Sequence, residues 1–116
     1  MSVSPRLLFL IAGALFLAVL FWPGRNSSAV AQARALVGDE PVLMFSANWC
    51  GYCKRLRTDL DRAGIAFTEL DIEASTNNNR AWRLLGGRAV PFTLVGERVV
   101  SGYAPQRILE LAAAPR

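Results

Sequence analysis

The sequence contains no histidine and only two cysteines in its 116 residues. A tetrahedral zinc site takes four nitrogen or sulfur ligands, so a single chain does not supply a complete set. Thiolates shared between two chains, or an iron–sulfur cluster, remain open as ways to hold metal. Both cysteines nevertheless stand together, in the segment Trp49-Cys50-Gly51-Tyr52-Cys53. Sulfur chemistry at this pair is the strongest functional indication in the chain.

A strong excess of positive charge is also missing from most of the chain. The formal net charge is +4, but Arg6, Arg25 and Arg34 precede the acidic residues. From Asp39 onward, ten Lys and Arg residues accompany nine Asp and Glu residues. A nucleic-acid-binding domain is expected to carry a clustered basic surface. We therefore predict no nucleic-acid partner.

The first 25 residues hold the excess of apolar side chains. Residues 7–22 form an uncharged apolar run that Pro23-Gly24 ends. A membrane-spanning helix needs about 20 apolar residues, with about 17 the usual minimum. A secretory signal peptide instead ends at a small-x-small site, and Ala29-Val30-Ala31 and Ala31-Gln32-Ala33 both fit that pattern. Residues 1–25 are therefore predicted to be a signal peptide or a single transmembrane anchor.

Both alternatives place the rest of the chain in an exported compartment, for which a bacterial periplasm is the natural expectation. The long distance from Trp22 to Ala33 favours the retained anchor. In that case residues 7–22 contact the membrane, and the domain faces the exported side.

Residues 26–38 are rich in small side chains and predict a linker, whereas residues 39–116 predict one α/β domain. A crossover helix between the first two strands favours parallel pairing, and a hairpin at Gly96-Glu97 adds an antiparallel edge. The predicted elements are strand 42–46, helix 50–63, strand 65–72, helix 75–85, strand 90–95, strand 98–101 and helix 106–113. Side chains at helical spacing predicted to face the core are Cys53, Leu56, Leu60 and Ala63.

Thiol–disulfide exchange requires an accessible thiolate and a second thiol close enough to resolve the mixed disulfide. Two intervening residues place Cys50 and Cys53 on one face of a first helical turn. Free N–H groups and the positive dipole end of the helix favour a Cys50 thiolate, and Lys54, Arg55 and Arg57 add positive potential. Cysteine pKa values at such sites fall from about 8.5 to roughly 3.5–7.5. Cys50 is therefore the predicted nucleophile and Cys53 the resolving thiol.

Two inert interpretations of the pair stay open beside the redox one. A structural disulfide across so short a loop removes only about 2 kcal/mol of unfolded-state entropy and engages no distant segment. A pair of unreactive thiols is the other. The position of the cysteines at a strand-to-helix junction favours redox chemistry.

The pairing of Cys50-Gly51-Tyr52-Cys53 with Ala89-Val90-Pro91 and a later Gly102 resembles the glutaredoxin family of the thioredoxin fold, over about residues 40–114. The resemblance implies a thioredoxin-like three-layer α/β/α sandwich of order β-α-β-α-β-β-α around a four-stranded mixed sheet, here preceded by an apolar helix. It also implies a cis Val90–Pro91 bond that faces the dithiol, and a Val90 backbone that pairs with substrate like an added strand. The implied substrate-binding residues are Trp49, Tyr52, Val90, Pro91, Gly102 and Tyr103.

The sequence departs from the family at positions that concern the electron source. Dithiol glutaredoxins usually carry a lysine three residues before the first cysteine, where this chain has Ala47, and Arg88 is a candidate for the missing cation. The run Ser101-Gly102-Tyr103 looks more like glutaredoxin-like donors to ribonucleotide reductase, which thioredoxin reductase reduces. Met44 stands where thioredoxin has a buried acid, so no proton-shuttling carboxylate is expected there. Glutathione and a reductase are therefore alternative electron sources.

These features predict a thiol–disulfide oxidoreductase that reduces or exchanges disulfides through Cys50 and Cys53. Its expected partners are a disulfide-bearing protein or a glutathione mixed disulfide. No tightly bound cofactor and no metal are predicted, and glutathione is a candidate reductant. The alternatives are a glutaredoxin-type module that binds an iron–sulfur cluster or glutathione without turnover, and a membrane-tethered scaffold with an idle dithiol.

Overall fold

The computed structural model describes residues 2–20 and 25–114. From the first strand onward, the order of elements is the predicted β-α-β-α-β-β-α. The elements in chain order are α1 (Pro5–Leu20), α2 (Arg25–Val37), β1 (Val42–Ser46), α3 (Gly51–Arg62), β2 (Thr68–Asp71), α4 (Thr76–Leu84), β3 (Phe92–Val95), β4 (Arg98–Ser101) and α5 (Pro105–Ala113).

The four strands form one mixed sheet in the order β2-β1-β3-β4. Strand β1 is parallel to β2 and antiparallel to β3, while β3 and β4 form an antiparallel hairpin. The parallel pair is joined through α3, because parallel neighbours need a crossover connection. The thioredoxin-like fold and its four-stranded mixed sheet are thereby confirmed.

Side chains alternate along β1 between two cores, because successive residues of a strand point to opposite faces. Leu43 and Phe45 lie in the first core, and Val42 and Met44 in the second. The first, here called the dithiol-side core, consists of Val30, Ala33, Leu43, Phe45, Ala47, Cys50, Cys53, Leu70, Ile72, Ala81, Phe92 and Leu94. The second, the α3–α5 core, consists of Val42, Met44, Leu56, Leu60, Val95, Val100 and Ile108. Helices on both faces complete the three layers.

The predicted linker at 26–38 is instead mostly helix α2, which packs on α4. Val30 and Ala33 are buried in the dithiol-side core, and Leu36 and Val37 pack against it. The Arg34 side chain connects α2 to the rest of the domain: it donates hydrogen bonds to the carbonyl of Glu40 at 2.5 Å and to that of Gly96 at 2.6 Å. The small side chains that suggested a linker let the helix approach its neighbours closely.

The second strand is shorter than the predicted 65–72. Helix α3 ends with Gly64 at φ +72°, and the Ile65 N–H bonds back to the Leu60 carbonyl at 3.0 Å. Ile65 therefore belongs to the C-terminal cap of the helix rather than to the ladder. Ala63 is exposed, contrary to the prediction that it faces the core.

The third strand begins two residues later than predicted, at Phe92. Pro91 has no backbone N–H to give to a ladder, so it precedes the strand rather than opening it. The fourth strand has its predicted bounds, and Ser75 caps α4 as expected, with its hydroxyl accepting from the Asn78 N–H at 3.3 Å.

Helix α1 has 16 residues and covers residues 7–20 of the predicted apolar run, and none of its side chains is buried. Across residues 2–20 and 25–114, no helix has both the length and the hydropathy that crossing a membrane requires. Positions 21–24, which end the predicted run, lie outside the described residues.

Candidate active site

The two cysteines lie where β1 gives way to α3. A turn at Asn48-Trp49 closes with the Cys50 N–H bonded to the Ala47 carbonyl at 3.1 Å. Cys50 is the N-cap of α3, with φ −85° and ψ 104°, and its sulfur accepts a hydrogen bond from the Cys53 N–H at 3.1 Å. An N-cap acceptor satisfies one of the free N–H groups that begin every helix. Here the acceptor is the sulfur atom of the predicted nucleophile.

Cys50 and Cys53 form a disulfide, with their Cα atoms 5.2 Å apart. The two residues differ in exposure: 6% of Cys50 is accessible to solvent and none of Cys53 is. An incoming thiol or disulfide can therefore reach only Cys50. Cys53 lies within bonding distance of Cys50 but is shielded from any partner. The predicted roles of nucleophile and resolving thiol both fit this arrangement.

The Val90–Pro91 bond is cis, as the resemblance implied. Val90 packs against the dithiol-side core, which contains both cysteines. The Pro91 carbonyl accepts a hydrogen bond from the Gly102 N–H at 2.9 Å, and Gly102 has φ +85°, a conformation that favours glycine. Gly102 thus holds the segment before β3 in place from the β4 side.

Tyr52 and Tyr103 meet beside the cysteine pair, with 5.5 Å between ring centroids. The Tyr103 hydroxyl donates a short hydrogen bond to the Asp59 carboxylate, and the Arg55 guanidinium carbon lies 5.7 Å from the centre of the Tyr103 ring. The hydrogen bond to Asp59 raises the pKa of Tyr103 above its ordinary value. Asp59, which the sequence did not single out, and Arg55, which was predicted only to add positive potential, therefore fix the orientation of one predicted substrate-binding ring.

Trp49 is the most exposed aromatic side chain of the predicted site, with 69% of its surface accessible. Its indole N–H donates to the Glu73 carboxylate at 2.6 Å. Glu73 is placed by its own backbone N–H, which bonds to the Asp71 side chain at 2.8 Å. The sequence did not predict the contact of Glu73 with Trp49, because this contact depends on how the loop after β2 folds.

The positions that depart from the family pattern lie in different environments. Ala47 is buried in the dithiol-side core, and Met44 is completely buried in the α3–α5 core. Arg88 is exposed in the segment that leads to Val90. A cavity of about 800 Å³ lies near the opposite ends of β1 and β3, with Val42, Val95 and Gly96 among its lining residues. None of the predicted site residues lines it.

The sequence matches known proteins over most of the domain. A family model described as Glutaredoxin matches residues 42–100. Glutaredoxin-C2 from Arabidopsis thaliana is 27% identical over 78 residues, which cover 64% of this chain and 70% of the relative. A glutaredoxin from Pseudomonas aeruginosa is 32% identical over 73 residues, which cover 62% of this chain and 87% of the relative.

Solved structures agree with the sequence matches. The glutaredoxin grx-1 from Archaeoglobus fulgidus superimposes with a TM-score of 0.58 at 26% identity, covering 69% of this chain and 94% of that one. The glutaredoxin-like protein NrdH-redoxin from Escherichia coli gives a TM-score of 0.57 at 24% identity, covering 64% of this chain and 97% of that one. At that identity, the second likeness concerns the fold alone.

Proposed function

The chain belongs to the glutaredoxin family, and from this premise we propose that it is a thiol–disulfide oxidoreductase working through Cys50 and Cys53. The observation that carries the proposal is the asymmetry of the pair. Cys50 keeps 6% of its surface accessible to solvent and its sulfur accepts the Cys53 N–H, whereas Cys53 is fully buried. A nucleophilic sulfur must be reachable by the substrate, as at Cys50. The thiol that resolves the mixed disulfide needs only to lie next to it, as Cys53 does.

The reaction proceeds by two exchanges. The Cys50 thiolate attacks one sulfur of the substrate disulfide, a Cys50–substrate bond forms, and the other substrate sulfur leaves as a thiolate that takes up a proton. The Cys53 thiolate then attacks the Cys50 sulfur, and the second substrate sulfur leaves. Two electrons pass to the substrate, and the pair ends as the disulfide seen in the structure. Two thiols from an external reductant restore the dithiol.

Substrate binding is assigned to the surface around Cys50. The Val90 backbone is assigned to pair with an extended substrate segment like an added strand, and Pro91, after the cis bond, is assigned to the same substrate-binding surface. The rings of Trp49, Tyr52 and Tyr103 contact residues that flank the substrate cysteine. Gly102 contributes through its bond to the Pro91 carbonyl.

The electron source is either glutathione or a reductase of the thioredoxin type. Glutathione is a known reductant in this family. The position three residues before Cys50 is taken by the uncharged Ala47, so this chain lacks the cation that dithiol glutaredoxins usually have there. A reductase is therefore the proposed donor, with glutathione as the alternative. The direction of the reaction depends on the difference in reduction potential between this dithiol and its partner. A difference of about 30 mV corresponds to about 1.4 kcal/mol of reaction free energy.

The apolar segment before α2 is proposed to direct the domain to an exported compartment, either as a cleaved signal or as an anchor. None of the 16 residues of α1 has a buried side chain, so this helix makes no contribution to the domain core. Fractionation of the native host, with sequencing of the mature N-terminus, distinguishes the two.

Covalent trapping tests the proposed activity. Cys53→Ser should accumulate mixed disulfides with substrate proteins, because the resolving thiol is lost, and Cys50→Ser should accumulate none. The wild-type protein should reduce insulin disulfides, and comparing glutathione plus its reductase with thioredoxin reductase identifies the donor. Absence of both turnover and trapping would overturn the proposal. Visible absorbance on anaerobic purification would point instead to the iron–sulfur alternative.

A further inference from the structure

Trp82, on α4, is connected to the segment that precedes the cis bond. Its indole N–H donates to the Ala89 carbonyl, with 3.3 Å between nitrogen and oxygen. The side chain also packs against the dithiol-side core, as does Val90. Nothing in the sequence patterns or in the site described above assigns a role to this residue.

The same indole lies against the backbone of Gly87. A Cβ atom at Gly87 would come within 2.2 Å of the Trp82 Cδ1 and Nε1 atoms, closer than any real contact. The Gly87 N–H also bonds to the Trp82 carbonyl at 2.8 Å. Glycine is therefore required here so that the ring can cross the loop. The loop itself begins with two glycines, Gly86 and Gly87, and such a loop has high conformational freedom unless it is held.

The other end of this segment is held separately. The Gly102 N–H bonds to the Pro91 carbonyl at 2.9 Å. Two carbonyls are thus occupied, that of Ala89 by the indole and that of Pro91 by Gly102. Between them, the Val90 N–H and carbonyl make no hydrogen bond to any part of the chain that the structure describes. Their partners must come from water or from a bound chain, since polar backbone groups require a hydrogen bond.

We propose that Trp82 is a positioning residue for substrate binding: it holds the Ala89 carbonyl and the glycine loop so that the Val90 backbone is ready to pair with a peptide. The inference rests on the proposed function and identifies the substrate class as extended polypeptide rather than any small disulfide. Without the hydrogen bond from Trp82 to the Ala89 carbonyl, a substrate would have to order the loop as it binds. The free-energy cost of that ordering lowers its affinity.

The direct test compares two substrates with dithiothreitol as the electron donor. Insulin presents its disulfide on a peptide backbone, whereas bis(2-hydroxyethyl) disulfide has no peptide group to pair with Val90. Trp82→Phe keeps a ring but removes the N–H. It should raise the KM for insulin about three- to tenfold, the range for one lost hydrogen bond. The kcat, the KM for the small disulfide and the pKa of the Cys50 thiol should stay unchanged.

A second variant and a control separate positioning from general destabilisation. Gly87→Ala leaves the N–H in place but displaces the ring, and it should give the same selective rise in KM for insulin. Val30→Ala weakens the same core from α2 but removes no hydrogen bond of the loop, and it should lower Tm without changing the ratio of the two KM values.

The outcomes are distinguishable from failure of the proposed function itself. Unchanged KM for insulin in both variants, or equal changes for both substrates, would overturn the role of Trp82 while the wild-type activity stands. A wild-type protein that reduces neither substrate would instead overturn the proposed function.

Discussion

The indole N–H of Trp49 donates a hydrogen bond to the carboxylate of Glu73, with 2.6 Å between Nε1 and Oε1. The bond joins the turn before Cys50 to the loop after β2 and fixes an aromatic ring that is otherwise mostly exposed. An ordered ring loses less conformational entropy when a partner binds. We therefore expect Glu73 to affect substrate binding through the proposed contact of Trp49 with the substrate.

Replacing Glu73 should weaken substrate binding without slowing the chemical step. We expect Glu73→Ala to raise the KM for insulin about two- to tenfold, the cost of immobilising one side chain, with kcat unchanged. Glu73→Gln should recover most of the loss, because its amide oxygen still accepts from the indole. Trp49 fluorescence should report the freed ring in the alanine variant.

A matched control removes an acidic side chain far from the dithiol. Glu97 lies in the β3–β4 turn, at the end of β3 opposite Pro91, and is exposed. Glu97→Ala should leave both kinetic constants unchanged. Equal effects of the two alanine substitutions would show that net charge, and not the indole bond, governs binding.

Stability should depend on pH through Glu69. Both of its carboxylate oxygens accept from Arg57, at 2.5 Å and 2.6 Å, and these bonds lower the pKa of Glu69. A lowered folded-state pKa means that the stabilisation is present above the unfolded value of about 4.3 and is lost as pH falls through the folded value.

The pH effect is measured by urea unfolding of the wild type and Glu69→Gln over a pH series. At neutral pH the variant should be less stable by about 0.2–1 kcal/mol, the range for a partly exposed ion pair. The difference should vanish in acid, below the folded-state pKa of Glu69. Glu110→Gln is the control: its pair with Arg107 is longer, at 3.3 Å, and more exposed, so its removal should change little. A difference that persists in acid would refute the assignment to Glu69.

Processing of the N-terminus is constrained by α2. Both small-x-small sites predicted from the sequence lie inside this helix, and cleavage after Ala31 or Ala33 would remove the buried side chain of Val30. Burial of a valine is worth about 1.5–3 kcal/mol. A chain beginning at residue 34 should therefore be less stable by at least about 2 kcal/mol than one beginning at residue 25, as measured by thermal or urea unfolding.

The same argument predicts where a natural mature chain starts. The N-terminus should lie before α2, whether the apolar segment is cleaved or kept. N-terminal sequencing that finds Gln32 or Arg34 at the start of a stable protein would contradict this.

Sequence periodicity was sufficient to predict which helix residues are buried where local spacing alone determines burial. Cys53, Leu56 and Leu60, at positions i, i+3 and i+7, are all fully buried as predicted, and the cis Val90–Pro91 bond agrees with what the family resemblance implied. Helix α2 was missed because Ala and Ser predict no strong apolar face on their own. Its burial comes from close packing on α4, which no local pattern encodes.

The candidate site likewise contains contacts that helical spacing predicts and contacts that only the tertiary structure creates. Tyr52, Arg55 and Asp59 follow helical spacing on one face of α3, but only the tertiary path of the chain brings Tyr103 to that face. Glu73 and Trp82 act through single hydrogen bonds between loops or across a helix end. Such contacts depend on backbone geometry that a sequence does not display.

The most direct test of the account is the titration of the Cys50 thiol in a Cys53→Ser variant, followed by ultraviolet thiolate absorbance. The Cys50 sulfur caps α3 and accepts the N–H of residue 53, so its thiolate should be favoured. We predict a pKa between roughly 3.5 and 7.5. A value at or above the free-cysteine pKa of about 8.5 would contradict the central claim that this helix start makes Cys50 a nucleophile.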